Sequence, residues 1–153
     1  LEVAQLHAME AGVAVEYREV PVETLAAEQP GQFDIVTCME MLEHVPRPEA
    51  VITALAGLVR PGGHVYMSTI NRNLKAFLLA IVGAEYVMRM LPKGTHEYER
   101  FIKPAELAAA ARAAGFQIQD IAGMEYNPLT REFRLSGDPS VNYLAHFIRP
   151  ARD

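Results

Sequence analysis

The chain has one cysteine, Cys38, so no internal disulfide is available, and a lone thiol inside an apolar run fits a reducing cytosol. It has no excess of positive charge. Fourteen Lys and Arg stand against nineteen Asp and Glu, with no block of like charge, which argues against nucleic acid as a partner because phosphate neutralisation needs a basic face. Internal repeats and low-complexity tracts are missing, and Leu1–His7 carries neither a basic start nor a cleavage pattern, so no secretory signal is expected in it. No Gly-x-Gly loop follows a strand pattern; the paired glycines, Gly62-Gly63, precede one. What remains is 153 residues, half hydrophobic and 22% charged, enough for one soluble globular domain with a core of its own.

The most informative stretch is Phe33-Asp34-Ile35-Val36-Thr37-Cys38-Met39-Glu40-Met41-Leu42-Glu43-His44-Val45. Phe33–Cys38 reads as a central parallel strand buried on both faces, and Glu40, Glu43 and His44 follow its carboxyl end, where open α/β sheets hold their ligands. Buried inside that strand, Cys38 reads as a core thiol rather than a nucleophile. Around it, Leu1–Ala11 reads as a helix closed by Gly12, Val13, Val15 and Tyr17 as a strand, Val22–Ala27 as a helical turn, and Pro48–Val59 as a helix ended by Pro61-Gly62-Gly63. His64–Ile70 is a strand, Leu74–Leu91 a long apolar helix, Pro104–Ala114 a helix ending at Gly115, and Phe116–Tyr126 and Asn142–Ile148 two closing strands that suggest an antiparallel edge.

Leu58-Val59-Arg60-Pro61-Gly62-Gly63 before a strand, with the acidic turn and this element order, resembles the class I S-adenosylmethionine-dependent methyltransferases. Cys38–Val45, Ser68–Asn73, Val82–Tyr86, Pro92–His96 and Tyr126–Leu129 resemble, more narrowly, the ubiquinone-biosynthesis O-methyltransferase family. The resemblance implies a Rossmann-like α/β sheet, mostly parallel with an antiparallel last strand. It also implies that residues 1–153 lack the family's first two strands, with the glycine loop and ribose-binding acid they carry, so the chain alone is expected to lack most of the cofactor cradle. The implied activity is transfer of a methyl from S-adenosylmethionine to a phenolic hydroxyl of a polyprenylated ubiquinone precursor. Met39 is implied to contact the cofactor, and Glu40, Glu43 and His44 to bind Mg2+.

The residues themselves leave alternatives open. A phenol of pKa about 10 is largely protonated at neutral pH, so ionisation needs either a cation on the oxygen or a base. Glu40, Glu43 and His44 offer two hard oxygens and a nitrogen to a divalent ion, although Mg2+ ordinarily prefers oxygen. Glu43 and His44 are catalytic candidates, His44 as a general base without metal, and both residues also fit a helix cap or a solvated turn. His96 stands either at the substrate mouth as a third catalytic residue or in a solvated loop. Asn71 and Arg72 read as positioning residues, and Tyr126 and Asn127 as substrate-side or core.

Leu74–Leu91 is too short and too charged to span a bilayer, which needs about 20 apolar residues. Its broad apolar face fits either an ordinary buried helix or a membrane-contact insertion over residues 74–93 that lies in the lipid interface. The partners implied are a polyprenylated phenol or quinol, the membrane surface and a complex of ubiquinone-biosynthesis proteins, which places the chain in the cytoplasm, peripherally membrane-associated. A class I methyltransferase for a soluble small molecule and a catalytically silent binding module are the competing readings.

Overall fold

The computed structural model describes residues 1–76, 98–127 and 130–151, apart from the side chain of Leu74. Helix α1 (Glu2–Glu10) is followed by Gly12 at φ +66, a left-handed position where the missing Cβ removes the steric penalty. The strand expected at Val13, Val15 and Tyr17 is not formed, and Val13 and Val15 are more than half exposed. Alternation supplies a strand with one apolar face, but its backbone groups also need a neighbour, and no described strand lies beside this segment. Helix α2 (Val22–Glu28) packs on α3 (Pro48–Leu58), with Val22, Leu25 and Ala26 against the core.

Strand β1 (Phe33–Met39) runs parallel to β2 (Val59–Ile70). Val59 faces Phe33, the Arg60–Gly63 turn bulges out, and pairing resumes with His64 opposite Ile35. Gly63 is required there: a Cβ would fall 2.6 Å from Val59 Cγ2 and 2.8 Å from the Asp34 carbonyl. Burial on both faces of β1 is not observed, because β1 lies at the edge of the described sheet; Ile35 is 57% exposed and only Cys38 is buried. After β2 come a short helical turn, α4 (Leu74–Ala76), then α5 (Pro104–Ala113), β3 (Gln117–Asn127), β4 (Glu132–Ser136) and β5 (Asn142–Ile148). The remainder of the Leu74–Leu91 pattern lies outside the described residues.

The five described strands are ordered β1-β2-β5-β3-β4. β1, β2 and β3 share one direction, and the last strand, β5, is antiparallel to both its neighbours and lies inside the sheet rather than at its edge. β4 forms a hairpin with β3 that the sequence did not suggest. Val65 and Met67 of β2, Tyr143, Ala145 and Phe147 of β5, and Ile52, Leu55, Leu58, Leu107 and Ala111 of α3 and α5 make one core on one face. The opposite face carries Ile35, Thr37, His64, Tyr66, Leu144 and His146, all exposed or half-buried.

Candidate functional site

The carboxyl ends of β1 and β2 lie side by side, with Met39 opposite Ser68. Glu40 then turns sharply at φ +48, a left-handed conformation uncommon for a side chain of this size. It is held by Ser68: the Glu40 amide donates to the Ser68 carbonyl at 3.1 Å and to Oγ at 3.0 Å, while Ser68 Oγ donates to Glu40 Oε1 at 2.6 Å. The next turn, Leu42–His44, buries Leu42 as an apolar anchor and takes Glu43 in with it.

Glu43 is 3% exposed, and Thr69 Oγ1 donates to its Oε2 at 2.6 Å. Its second oxygen, Oε1, is buried without a hydrogen-bond partner and lies 3.9 Å from His44 Nε2. A buried carboxylate oxygen left in this state is costly unless something uses it. The His44 ring is 47% exposed, so a buried acid backs an imidazole that solvent and ligands can reach.

Ser68 and Thr69 are consecutive in a strand and therefore point to opposite faces. Ser68 shares its face with Met39 and Leu144, and Thr69 shares its face with Tyr143. Glu40 and Glu43 are thus gripped from opposite sides of the sheet, and the expected trio of metal ligands is not brought together. Among the described residues no three His, Cys, Asp or Glu side chains gather closely enough to hold an ion. In this arrangement Glu40, Glu43 and His44 do not fit a common Mg2+; only Glu43 and His44 adjoin.

Other expected residues find structural work. Asn71 donates through Nδ2 to the Pro139 carbonyl at 3.0 Å, and Arg72 pairs with Glu106 and donates to the Glu99 carbonyl at 3.3 Å. The Tyr126 ring lies tilted against Phe133 across the β3–β4 hairpin, with ring centroids 4.8 Å apart, and Asn127 accepts the Thr130 amide within the same hairpin. His96 lies outside the described residues. Burial, reinforced by the Glu43 charge, pushes the Cys38 thiol up to about 11. Burial also raises Tyr143 far above an ordinary phenol, and its hydroxyl donates to the Ile102 carbonyl at 2.9 Å, so neither group is an acid or base near neutrality.

Met39, 48% exposed at the end of β1, borders the crevice that open α/β sheets use for ligands. Next to the turn, a cavity of about 380 Å³ is walled by Leu42, Val45, Phe101 and Leu107, with Arg72 and Glu106 on its polar side. Ser68 and Thr69 are the site residues that sequence reasoning missed. Their signal was two consecutive hydroxyls ending a strand next to one that ends in carboxylates.

Compared with known proteins, residues 4–121 match the profile of a family described as methyltransferase domain. The chain belongs to this methyltransferase-domain family. The domain is 65% identical over 144 residues to a protein of Bordetella avium named ubiquinone biosynthesis O-methyltransferase, covering 94% of the chain and 60% of the relative. It is 67% identical over 145 residues to a protein of the same name from Paracidovorax citrulli, covering 94% and 61%. The chain therefore spans about 60% of the length of these curated relatives.

Among solved structures, a putative methyltransferase of Bacillus halodurans superposes with a TM-score of 0.67 at 17% identity, over 98% of this chain and 78% of that one. A [4+2]-cyclase, SpnF, also gives 0.67, at 16% identity, over 99% and 63%. At such identities the likeness establishes the fold, and the fold is that of class I methyltransferases. A cyclase on the same fold shows that chemistry must be argued from the site of this methyltransferase domain.

Proposed function

We propose that the protein carrying this methyltransferase domain moves a methyl group from S-adenosylmethionine to a phenolic oxygen of a polyprenylated ubiquinone precursor at a membrane surface. One observation carries this reading: identity of 65–67% across 94% of the chain to proteins named ubiquinone biosynthesis O-methyltransferase. When bound, S-adenosylmethionine supplies an electrophilic methyl on a positively charged sulfur. This chain's residues must then position the phenol and take its proton, since a phenol of pKa about 10 is a poor nucleophile while protonated.

His44 is the group for that proton. Its ring is reachable, it follows the carboxyl end of β1, and imidazole is suited to proton abstraction at neutral pH. An imidazole nitrogen of His44 would take the proton as the phenolic O–H breaks, leaving the oxygen to accept the methyl that S-adenosylmethionine would supply, with the sulfur leaving as a neutral thioether. The imidazolium formed is stabilised by the buried Glu43 carboxylate 3.9 Å away. Met39 is the described residue we assign to the cofactor's border. The broad apolar face of the Leu74–Leu91 sequence is our reason for membrane-surface contact, and no described helix is long and apolar enough to cross a membrane.

Methyl transfer from labelled S-adenosylmethionine is the test, with a polyprenylated catechol in vesicles compared against a soluble catechol. Label in the O-methyl ether of the prenylated substrate, at a rate well above the soluble one, is expected. Equal rates would favour a methyltransferase for soluble small molecules, and no transfer to either would leave a silent binding module.

A further inference from the structure

Near the end of β2 stand Ser68 and Thr69, two hydroxyl residues without accessible surface, and each grips one carboxylate of the turn after β1. Their grips differ. Ser68 bonds both the backbone and the side chain of Glu40, fastening a left-handed turn. The Thr69 hydroxyl donates to one oxygen of the Glu43 carboxylate and so bears on how that group is rotated. With Oε2 committed to Thr69, Oε1 is the oxygen left toward His44 Nε2.

A buried carboxylate has few ways to satisfy itself, and the Thr69 hydroxyl is the single hydrogen-bond donor described at Glu43. Without it no other described hydrogen bond fixes how the buried group is rotated. Resting on the function proposed above, we propose that Thr69 is a positioning residue of the methyl-transfer site. Its hydroxyl orients the Glu43 carboxylate so that the unbonded oxygen faces His44. Thr69 reaches neither substrate nor cofactor and acts through Glu43 alone.

The test uses the protein carrying this chain, with Thr69→Val, Thr69→Ser, Glu43→Gln and the Thr69→Val/Glu43→Gln double variant, each assayed for kcat and KM. Valine keeps the shape of threonine without the donor, and serine keeps the donor. Thr69→Val should lower kcat roughly ten- to hundredfold, the scale of one hydrogen bond to a charged group, with KM for S-adenosylmethionine little changed. Thr69→Ser should recover most of the loss. The double variant should be no slower than Glu43→Gln, because an effect transmitted through Glu43 disappears once its charge is gone.

If Thr69→Val does not fold, Thr69→Ala takes its place under the same criteria. Full kcat without the hydroxyl, failure of serine to rescue, or losses that multiply in the double variant would overturn the proposal. The wild-type rate reads the underlying function separately: an inactive wild type overturns both readings, and an active wild type with insensitive Thr69 variants overturns this one only.

Discussion

Replacing Gly123 by alanine should loosen the loop that closes over the carboxyl end of the sheet. Gly123 lies in β3, opposite Tyr143 of β5 and Ser136 of β4. A Cβ there would fall 1.9 Å from the Asp138 carbonyl oxygen, 2.4 Å from its carbon and 2.8 Å from Ser136 Oγ. Two of these three atoms are backbone, so no side-chain rotation relieves the clash and the 137–141 loop itself must move. That loop is tied down: Lys75 Nζ donates to Asp138 Oδ2 and Ser140 Oγ, both at 2.6 Å, and Asn73 Nδ2 donates to the Ser140 carbonyl at 2.6 Å. The Lys75 bond, with help from Ser140, holds the Asp138 carboxyl down at about 2.

Overpacking of this kind costs about 1–3 kcal/mol. At about 2–4 °C per kcal/mol for a domain of this size, Gly123→Ala should lower Tm by roughly 2–12 °C. Gly137, in the same loop, has open space around its would-be Cβ and no left-handed φ. Gly137→Ala should therefore match wild type or gain up to about 1 kcal/mol through a less flexible unfolded chain. Circular-dichroism melts of the three proteins decide it. Equal midpoints for Gly123→Ala and Gly137→Ala would refute the packing of this loop on β3.

His146 sits between His64, with which it shares a hydrogen bond at 3.0 Å, the stacked Tyr66 ring and Asp120 across the β3 pairing. Burial, with the neighbouring His64, lowers its pKa against the weaker pull of Asp120. Its neutral form is thus favoured by folding, so its contribution is full above the unfolded imidazole value of about 6.5 and is lost as pH falls through the lower native value. His146→Asn should flatten the fall of denaturant stability between pH 7 and 5, and an unchanged slope would count against it. Cys38, buried with its thiol at about 11, should react with a thiol reagent at pH 8 only after denaturation; rapid labelling of native protein would contradict that burial. Replacing Phe77 and Ile81 with serine should weaken vesicle binding and slow turnover of long-tailed substrate only; unaltered vesicle binding would remove the membrane role from the Leu74–Leu91 sequence.

The elements that read correctly from sequence are those whose signals are local. Pro48 and Pro104 open their helices, Gly12 and Gly115 follow two helix ends, and Asn142–Ile148 alternates cleanly enough that its bounds were legible without the structure. Pairing is less visible. Val13–Tyr17 alternates like a strand yet has no described neighbour, and β1, apolar enough for a sheet centre, lies at an edge of the described sheet. Glu132–Ser136 was missed because its apolar residues, Phe133 and Leu135, face outward and are about two-thirds exposed, so no buried pattern marked it. At the site, spacing showed that Glu40, Glu43 and His44 are neighbours but not that Ser68 and Thr69 would draw the two carboxylates to opposite faces, since that depends on register between strands.

If His44 takes the phenolic proton, the single-turnover methyl-transfer rate of His44→Ala depends on the acidity of the phenol, which two substrates compare. One is an ordinary catechol; the other carries an electron-withdrawing nitro group, so that it is already largely ionised at neutral pH. Loss of a general base costs about 10²–10⁴ in rate on the substrate that needs it. The ordinary catechol should therefore lose that much and the acidic one little, both with the bound cofactor saturating. Equal losses on the two substrates would contradict a proton-accepting role for His44.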